Sequence, residues 1–412
     1  MAEVTISVPF NGGTVTGNQN NGFCHLTENR YLEVFYQSTP GYVFAKVIGV
    51  DNPRAAAPVV TTLRTQTLNE LAGRTSGANS TFRLARLNNT TALLVYSYVS
   101  PSTAMFARSI TIDPVTNVAT LGAEVTLSTV AAYPSGDASY VSMGIQAVAD
   151  NTVLINHPLT LATAMQITKV TLAADGTTIT TTPLASYTIV NGASAHAVSF
   201  SRIRNTQQWV VMIYLNNTSS AIAGNSSLNS CKLYYGDPAS NATWTNVPLA
   251  ITPYWLQSYV PTAPTTGLLL DPGVSGITRW GVIAGGTLGA TTVFSPTALS
   301  SAVQSQWATW IGDTDDHIFV FSGPTQSSGG GVVGAAGTTL AYRVIKYVDN
   351  TYGTVSAATA GASGGSLGAT STITGYTTRL RPIVLANDLI ALPTYTSGTL
   401  PGNAMKLLFI KV

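Results

Sequence analysis

Apolar and polar residues alternate along most of this chain in short runs, and clusters of Asn, Asp, Gly and Pro break the runs apart. That is the period of half-buried β-strands, not of helices. One segment type returns at nearly constant spacing. Phe44-Ala45-Lys46-Val47-Ile48-Gly49-Val50-Asp51 is followed by Phe106-Ala107-Arg108-Ser109-Ile110-Thr111-Ile112-Asp113. A third copy, Ile167-Thr168-Lys169-Val170-Thr171-Leu172, leads to Asp175, and a fourth is Cys231-Lys232-Leu233-Tyr234-Tyr235-Gly236-Asp237. The closing aspartates at 51, 113, 175 and 237 are three successive steps of 62. A later copy runs over 341–349, Thr291-Thr292-Val293-Phe294 stands as a degenerate copy before it, and 405–412 is the last.

Each unit has the same plan: a strand, a polar turn, a strongly apolar strand, a long loop, the basic-apolar repeat strand, an Asp-containing turn, and a Thr-rich strand. The first turn is Thr27-Glu28-Asn29-Arg30 in one unit, Asn88-Asn89-Thr90 in the next, then Asp150-Asn151 and Asn205-Thr206-Gln207. Asn, Asp and Gly supply backbone conformations that β-branched residues resist, so these are hairpins. Residues 61–68, 120–127, 177–183 and 243–249 are Thr-rich and polar on one side, as outer strands facing water are.

Four antiparallel strands per unit, repeated at about 60 residues, predict an all-β chain folded as a β-propeller. The expectation is a single domain over 1–412 with seven four-stranded blades. Their approximate bounds are 21–68, 82–130, 139–187, 195–251, 265–300, 306–360 and 377–412, the N-terminal strand at 3–10 completing the last. The alternative is six blades with an insertion at 253–300.

Composition narrows the function. Of 412 residues 36 are charged and the net charge is +2, which leaves no basic face for nucleic acid. No apolar run is long enough to span a membrane, and no N-terminal export signal is visible, so synthesis in a cytoplasm without membrane insertion is expected. Cys24 and Cys231 are too few for a disulfide framework and are expected to be buried thiols. Sparse charge with a mean hydropathy of +0.24 suggests a surface partly covered in an assembly.

In a propeller, the loops after the second strands share one end with the connections between blades. Here those loops (37–41, 99–103, 157–163, 216–229, 322–337 and 396–403) are long and uncharged. Loops of Gly, Ser, Thr, Asn and Pro flanked by tyrosines suit a hydrogen-bonding contact surface for glycan or protein. Gln37, Tyr98, His157, Asn216, Asn217 and Tyr395 are the candidate binding residues. Tolerated surface insertions are the plainer reading of the same loops.

Catalytic chemistry has little support. Glycoside hydrolysis needs paired carboxylates on the channel, and of five glutamates, Glu3, Glu28, Glu33 and Glu124 fall on edge strands, turns or a blade strand. Glu70 and Asp137, between blades, are the weak alternative pair, and the expectation is that the chain is not an enzyme. Asp313, Asp315 and Asp316 beside His317 could hold a hard cation but occupy a hairpin turn, where turn chemistry explains them. No cofactor is expected. The basic residue of the repeat strand (Lys46, Arg108, Lys169, Lys232, Arg343, Lys406) recurs once per unit, its long stem packing between blades.

The segment Leu233-Tyr234-Tyr235-Gly236-Asp237-Pro238-Ala239-Ser240-Asn241-Ala242-Thr243-Trp244 resembles the Asp-box of sialidase-like propellers, without the full Ser-x-Asp-x-Gly pattern or an identifiable arginine trio with a Tyr-Glu pair. As a whole the chain resembles the virion-associated β-propellers of tailed bacteriophages, those of tail hubs, nozzles and fibres. That resemblance implies a structural or host-recognising virion protein, made in the host cytoplasm, whose partners are copies of itself, other virion subunits, or a host surface glycan or protein. A glycan-active propeller enzyme and a lectin-like binding module are the alternatives.

Overall fold

The computed structural model describes residues 2–7, 22–37, 41–71, 82–98, 104–129, 144–160, 164–190, 196–215, 221–222, 231–249, 258–271, 279–284, 287–293, 304–311, 317–324, 341–346, 376–377, 383–396 and 405–411. β1 (Ala2–Ser7) leaves sequence order and pairs at the far end of the chain. The first sheet follows: β2 (Gly22–Thr27), β3 (Arg30–Gln37), β4 (Tyr42–Asp51) and β5 (Val59–Thr67). A short 3-10 turn at Asn69–Leu71 leads out of it. The second sheet has β6 (Phe82–Arg86), β7 (Thr91–Tyr98) and β8 (Ala104–Ile112), and its outer side is split into β9 (Ala119–Leu121) and β10 (Val125–Ser128). The third has β11 (Ile145–Ala149), β12 (Thr152–Thr160), β13 (Ala164–Leu172) and β14 (Ile179–Val190).

The fourth sheet is β15 (His196–Arg202), β16 (Trp209–Leu215), β18 (Cys231–Gly236) and β19 (Thr245–Leu249), while β17 (Ala221–Ile222) crosses back to pair with β14. The fifth is β20 (Ser258–Ala263), β21 (Thr266–Asp271), β22 (Arg279–Ala284) and β23 (Thr287–Val293), and the sixth β24 (Gln304–Ile311), β25 (His317–Pro324) and β26 (Ala341–Lys346). The seventh sheet joins β27 (Tyr376–Thr377), β28 (Ile383–Ala386), β29 (Leu389–Thr396), β30 (Met405–Lys411) and β1. Every described pairing is antiparallel. The chain is a β-propeller: β2 lies beside β6, β6 beside β11, β11 beside β15, β15 beside β20, β20 beside β24, and β28 beside β2.

The expected blade plan is corrected. Neither seven nor six four-stranded blades are found: five sheets have a four-stranded path, the third runs to five strands with β17, and the sixth has three among the described residues. The inserted segment of the six-blade alternative is instead the fifth sheet. Two physical events break the uniform count. In the second sheet the outer strand parts around Gly122, where an added Cβ would lie 2.1 Å from Ser109 Oγ and 2.4 Å from the Thr177 carbonyl oxygen. In the fourth, the loop after β16 lends β17 to its neighbour.

Consecutive buried residues explain how the sheets stack. Tyr31 to Phe35 are all buried, and so are Ala92 to Tyr96, because both faces of these second strands are covered by neighbouring sheets. Four core clusters each straddle a seam: first to second sheet, second to third, third to fourth, and seventh to first, where Tyr31, Phe23 and Ile48 meet Leu389, Leu407 and Phe409.

The repeated aspartates close turns. Asp113 accepts from Val115 N and Thr116 N at 2.9 and 2.7 Å, and Asp175 from Thr177 N and Thr178 N at 2.9 and 2.8 Å. Asp237 accepts from Ala239 N at 2.8 Å. The Thr178 hydroxyl together with these backbone donors holds Asp175 down at about 2, and the backbone donors lower Asp113. In the first sheet Asn52, at φ 43°, takes the role from Asp51 and accepts from Arg54 N. Arginines tie neighbouring turns: Arg54 to Asp388 and Glu28, Arg86 to Asp150, and Arg30 to Asn117 and the Asp113 and Pro114 carbonyls.

Candidate functional site

The second strands all run towards the end of the propeller opposite these turns, and there the alternation of the sequence delivers polar and aromatic residues. Gln37 ends β3 directly across from Tyr42 of β4, whose side chain is 41% exposed. Half-buried Tyr36 stands next to this pair. Tyr98 ends β7 opposite Ala104, and Tyr395 of β29 lies between Thr377 and Met405. The fold therefore places Gln37, Tyr98 and Tyr395 at one end, while Asn216 and Asn217 lie outside the described residues. An aromatic face beside an amide can stack on an apolar ring and hydrogen-bond its edge.

His157 differs from the others. It sits on β12, 1% exposed, with Nδ1 3.0 Å from the Pro158 carbonyl oxygen and Nε2 2.8 Å from Thr168 Oγ1. The carbonyl can only accept, so the proton is on Nδ1 and Nε2 accepts from the threonine. Burial holds the ring down at about 4, and it is neutral in the fold. On the other face of the same sheet, Tyr187 OH donates to Asn156 Oδ1 at 3.0 Å.

Among the candidate acids, Glu70 is exposed in the 3-10 turn, and Asp137 lies outside the described residues. Two other carboxylates stand in the seams, Glu33 buried and Glu124 half-buried. Glu33 of β3 is 1% exposed, across from Phe23 of β2 and Lys46 of β4. Burial lowers the Lys46 pKa, with Glu33 opposing. Glu124 accepts from Tyr96 OH at 2.6 Å, with Arg108 Nε 3.7 Å away. Sequence reasoning set Glu33 aside as a strand residue, yet the unbroken run Leu32-Glu33-Val34 was the signal that both faces are covered.

The repeated basic residues do not form one ring. Lys46, Arg108 and Lys232 lie on the sides of their sheets that face the preceding sheet, whereas Lys169 reaches forward to the Ser240 carbonyl and Asn241 Oδ1 at 3.2 and 2.5 Å. Lys169 is 61 residues after Arg108, one short of the repeat, and a one-residue slip turns a strand's side chain to the other face. The side chains of Arg343 and Lys406 are outside the described residues, as are Asp313, Asp315 and Asp316. Among the described residues no group of three or more His, Cys, Asp or Glu is placed to hold a metal. Cys24 is buried and free, its pKa pushed well up by desolvation.

No protein-family model matches the sequence, and no curated protein matches it. Solved structures do resemble it. The polysaccharide lyase Uly1 is 9% identical, with 99% of this chain and 92% of that chain covered and a TM-score of 0.48. The α-L-arabinofuranosidase of Fusarium graminearum is 11% identical over 84% of this chain and 98% of its own, TM-score 0.43. The lectin BP39L of Burkholderia pseudomallei is 9% identical over 81% and 96%, TM-score 0.37. The expectation that the chain is not an enzyme is corrected here, since glycoside hydrolases and a lyase stand among the similar structures beside a lectin. At such identities the likeness concerns the fold.

Proposed function

We propose that this chain is a glycan-directed β-propeller, engaging carbohydrate at the end where its second strands finish. The observation that carries this reading is the register that sets Gln37 opposite exposed Tyr42, with Tyr98 and Tyr395 on strand ends at the same end. Sugar rings have apolar faces and hydroxyl edges, and this combination of side chains answers both. At the opposite end Asp113, Asp175 and Asp237 are engaged in turns, and Arg54 and Arg86 in ties between turns. A glycan array probed with the whole chain, with reducing-end release measured on every glycan retained, tests the reading. Retention of at least one glycan class, weakened about tenfold in Tyr42→Ala, supports it; an array without retention ends it. Release of reducing ends assigns turnover as well as binding.

A second reading places the chain in a virion beside copies of itself or other tail proteins. What favours it is Val59 and Leu63, 61% and 41% exposed on the outer strand β5, in a chain with 36 charged residues in 412. Exposed apolar side chains on an outer strand suit a covered surface. Detection in purified particles supports this placement, and absence from them removes it.

A further inference from the structure

The 3-10 turn Asn69–Leu71, which follows β5, stands beside the end proposed above to meet carbohydrate, and it is firmly anchored there. Leu68 N donates to the Val43 carbonyl at 2.8 Å, and Leu71 N donates to the Leu68 carbonyl at 3.0 Å. Leu68 and Leu71, 1% and 0% exposed, belong to the core between the first and second sheets. Just before them the Gln66 amide clasps the second sheet, donating to the Ala119 carbonyl at 2.7 Å and accepting from Ala119 N at 3.0 Å. Backbone and core fix the turn without using its polar side chains.

Those side chains are Asn69 and Glu70, both exposed. Because Leu68 lies across from Val43, the register brings Asn69 next to Tyr42, just as it sets Tyr42 opposite Gln37. The turn packs against β4. Among the described residues neither Asn69 nor Glu70 has a hydrogen bond or ion pair, and the Tyr42 hydroxyl has none. Of residues 36–37, 42–43 and 68–71, which form this end of the first sheet, Glu70 is the charged one. A carboxylate accepts from two adjacent hydroxyls, an amide both donates and accepts, and a tyrosine ring covers an apolar sugar face. A second anion brought close to the carboxylate is repelled. Groups held on a fixed backbone lose little freedom when a ligand arrives.

We infer that Asn69 and Glu70 complete the site around Tyr42, that the Glu70 carboxylate accepts from neighbouring hydroxyls of the sugar, and that the ligand is a neutral carbohydrate. This rests on the glycan reading above and adds two residues and the ligand's chemistry to it. Tyr42 supplies the apolar face, Asn69 a donor beside it, and Glu70 the acceptor that turns acidic sugars away.

One printed array tests it with the whole chain. It carries cellotriose, arabinotriose and the methyl ester of trigalacturonate, all neutral, and trigalacturonate and a sulfated galactotriose, both anionic. Expected is retention of a neutral member at least about tenfold tighter than either anionic one, about 1.4 kcal/mol, the gap narrowing as salt screens the carboxylate. Glu70→Ala weakens the retained neutral glycan about tenfold and Asn69→Ala about fivefold. Glu70→Gln keeps an acceptor without the charge, so it costs less and narrows the gap to trigalacturonate. Asp51→Asn makes the same charge change at the far, exposed end of β4 and alters neither. Anionic glycans retained as tightly as neutral ones overturn the inference and leave the glycan reading standing. So does a Glu70→Ala chain that binds like the parent while Tyr42→Ala is weakened. An empty array ends both.

Discussion

The third sheet has two unlike seams. Towards the second sheet it packs aliphatic residues, Val153, Ile155, Val170 and Leu172 against Leu93, Val95 and Met105, and the polar links are hydroxyls reaching carbonyls, such as Ser109 Oγ to Thr177 O at 2.5 Å. Towards the fourth it packs rings, Tyr187, Tyr234, Phe200 and Trp244, and both tyrosine hydroxyls find partners: Tyr234 OH on the Ser186 carbonyl across the seam, Tyr187 OH on Asn156 within the third sheet. The aliphatic seam is held by area and shape. The aromatic seam adds hydrogen bonds at fixed places, which fix the angle between two sheets more narrowly than area does.

Truncating each seam at its best-packed residue gives the largest effects. Trp244 is 4% exposed, its indole lies over Gly236, and its backbone N–H donates to the Leu184 carbonyl at 2.9 Å. Trp244→Ala is expected to lose ~4 kcal/mol, and Leu93→Ala, 0% exposed in the aliphatic seam, ~3 kcal/mol. Urea unfolding of both variants checks the order, and a larger loss at Leu93 would reverse the ranking of the seams.

Acid separates the seams next. His157 lies on the face turned to the second sheet, with a folded pKa of about 4 against an ordinary 6.5. The unfolded chain therefore binds the extra proton first as pH falls. Stability is full above about 6.5, declines between about 6.5 and 4, and is lower by up to ~3 kcal/mol below that window. His157→Gln should flatten this part of the stability profile. An unchanged slope would place the acid sensitivity elsewhere, with half-buried His25, also held at about 4 by desolvation, the next group to replace.

The sequence made the stacking legible and hid the local exceptions. The step of 62 between aspartates locates turns that Asp113, Asp175 and Asp237 do close, and the hairpin asparagines Asn151 and Asn205 stand at φ 61° and 55°, as tight turns require. The exchange of Asp51 for Asn52 was not visible, because both residues suit the same turn. The strand-rich stretch from 258 to 293 was masked by its weak alternation and read in one alternative as an insertion. The pairing of β17 with β14 depends on a two-residue contact across sheets, below anything periodicity can report. The position of Gln37, Tyr98 and Tyr395 at the loop end was legible from strand order alone. The burial of His157 was not, because the sequence placed it at the start of a loop and the structure carries β12 on to Thr160.

Tyr187→Phe probes the aromatic seam with little change of shape. It leaves Asn156 Oδ1, 0% exposed at the residue level, without that donor, and ~1 kcal/mol is expected from the lost hydrogen bond in urea unfolding. A neutral result would mean that the ring of Tyr187, not its polar tip, is what the seam uses.

The smallest effect expected is at Lys169, and its size follows from the slipped register. The ammonium bonds Ser240 and Asn241, both exposed turn residues, so in Lys169→Met their oxygens turn to water at little cost and the thioether keeps the stem's packing. A change within ~0.5 kcal/mol is expected. The sister substitution Arg108→Met removes a cation 3.7 Å from the half-buried Glu124 carboxylate, so it should lose more, ~1–2 kcal/mol. Equal losses at both positions would show that the repeated cation acts through its stem alone, whichever sheet it faces.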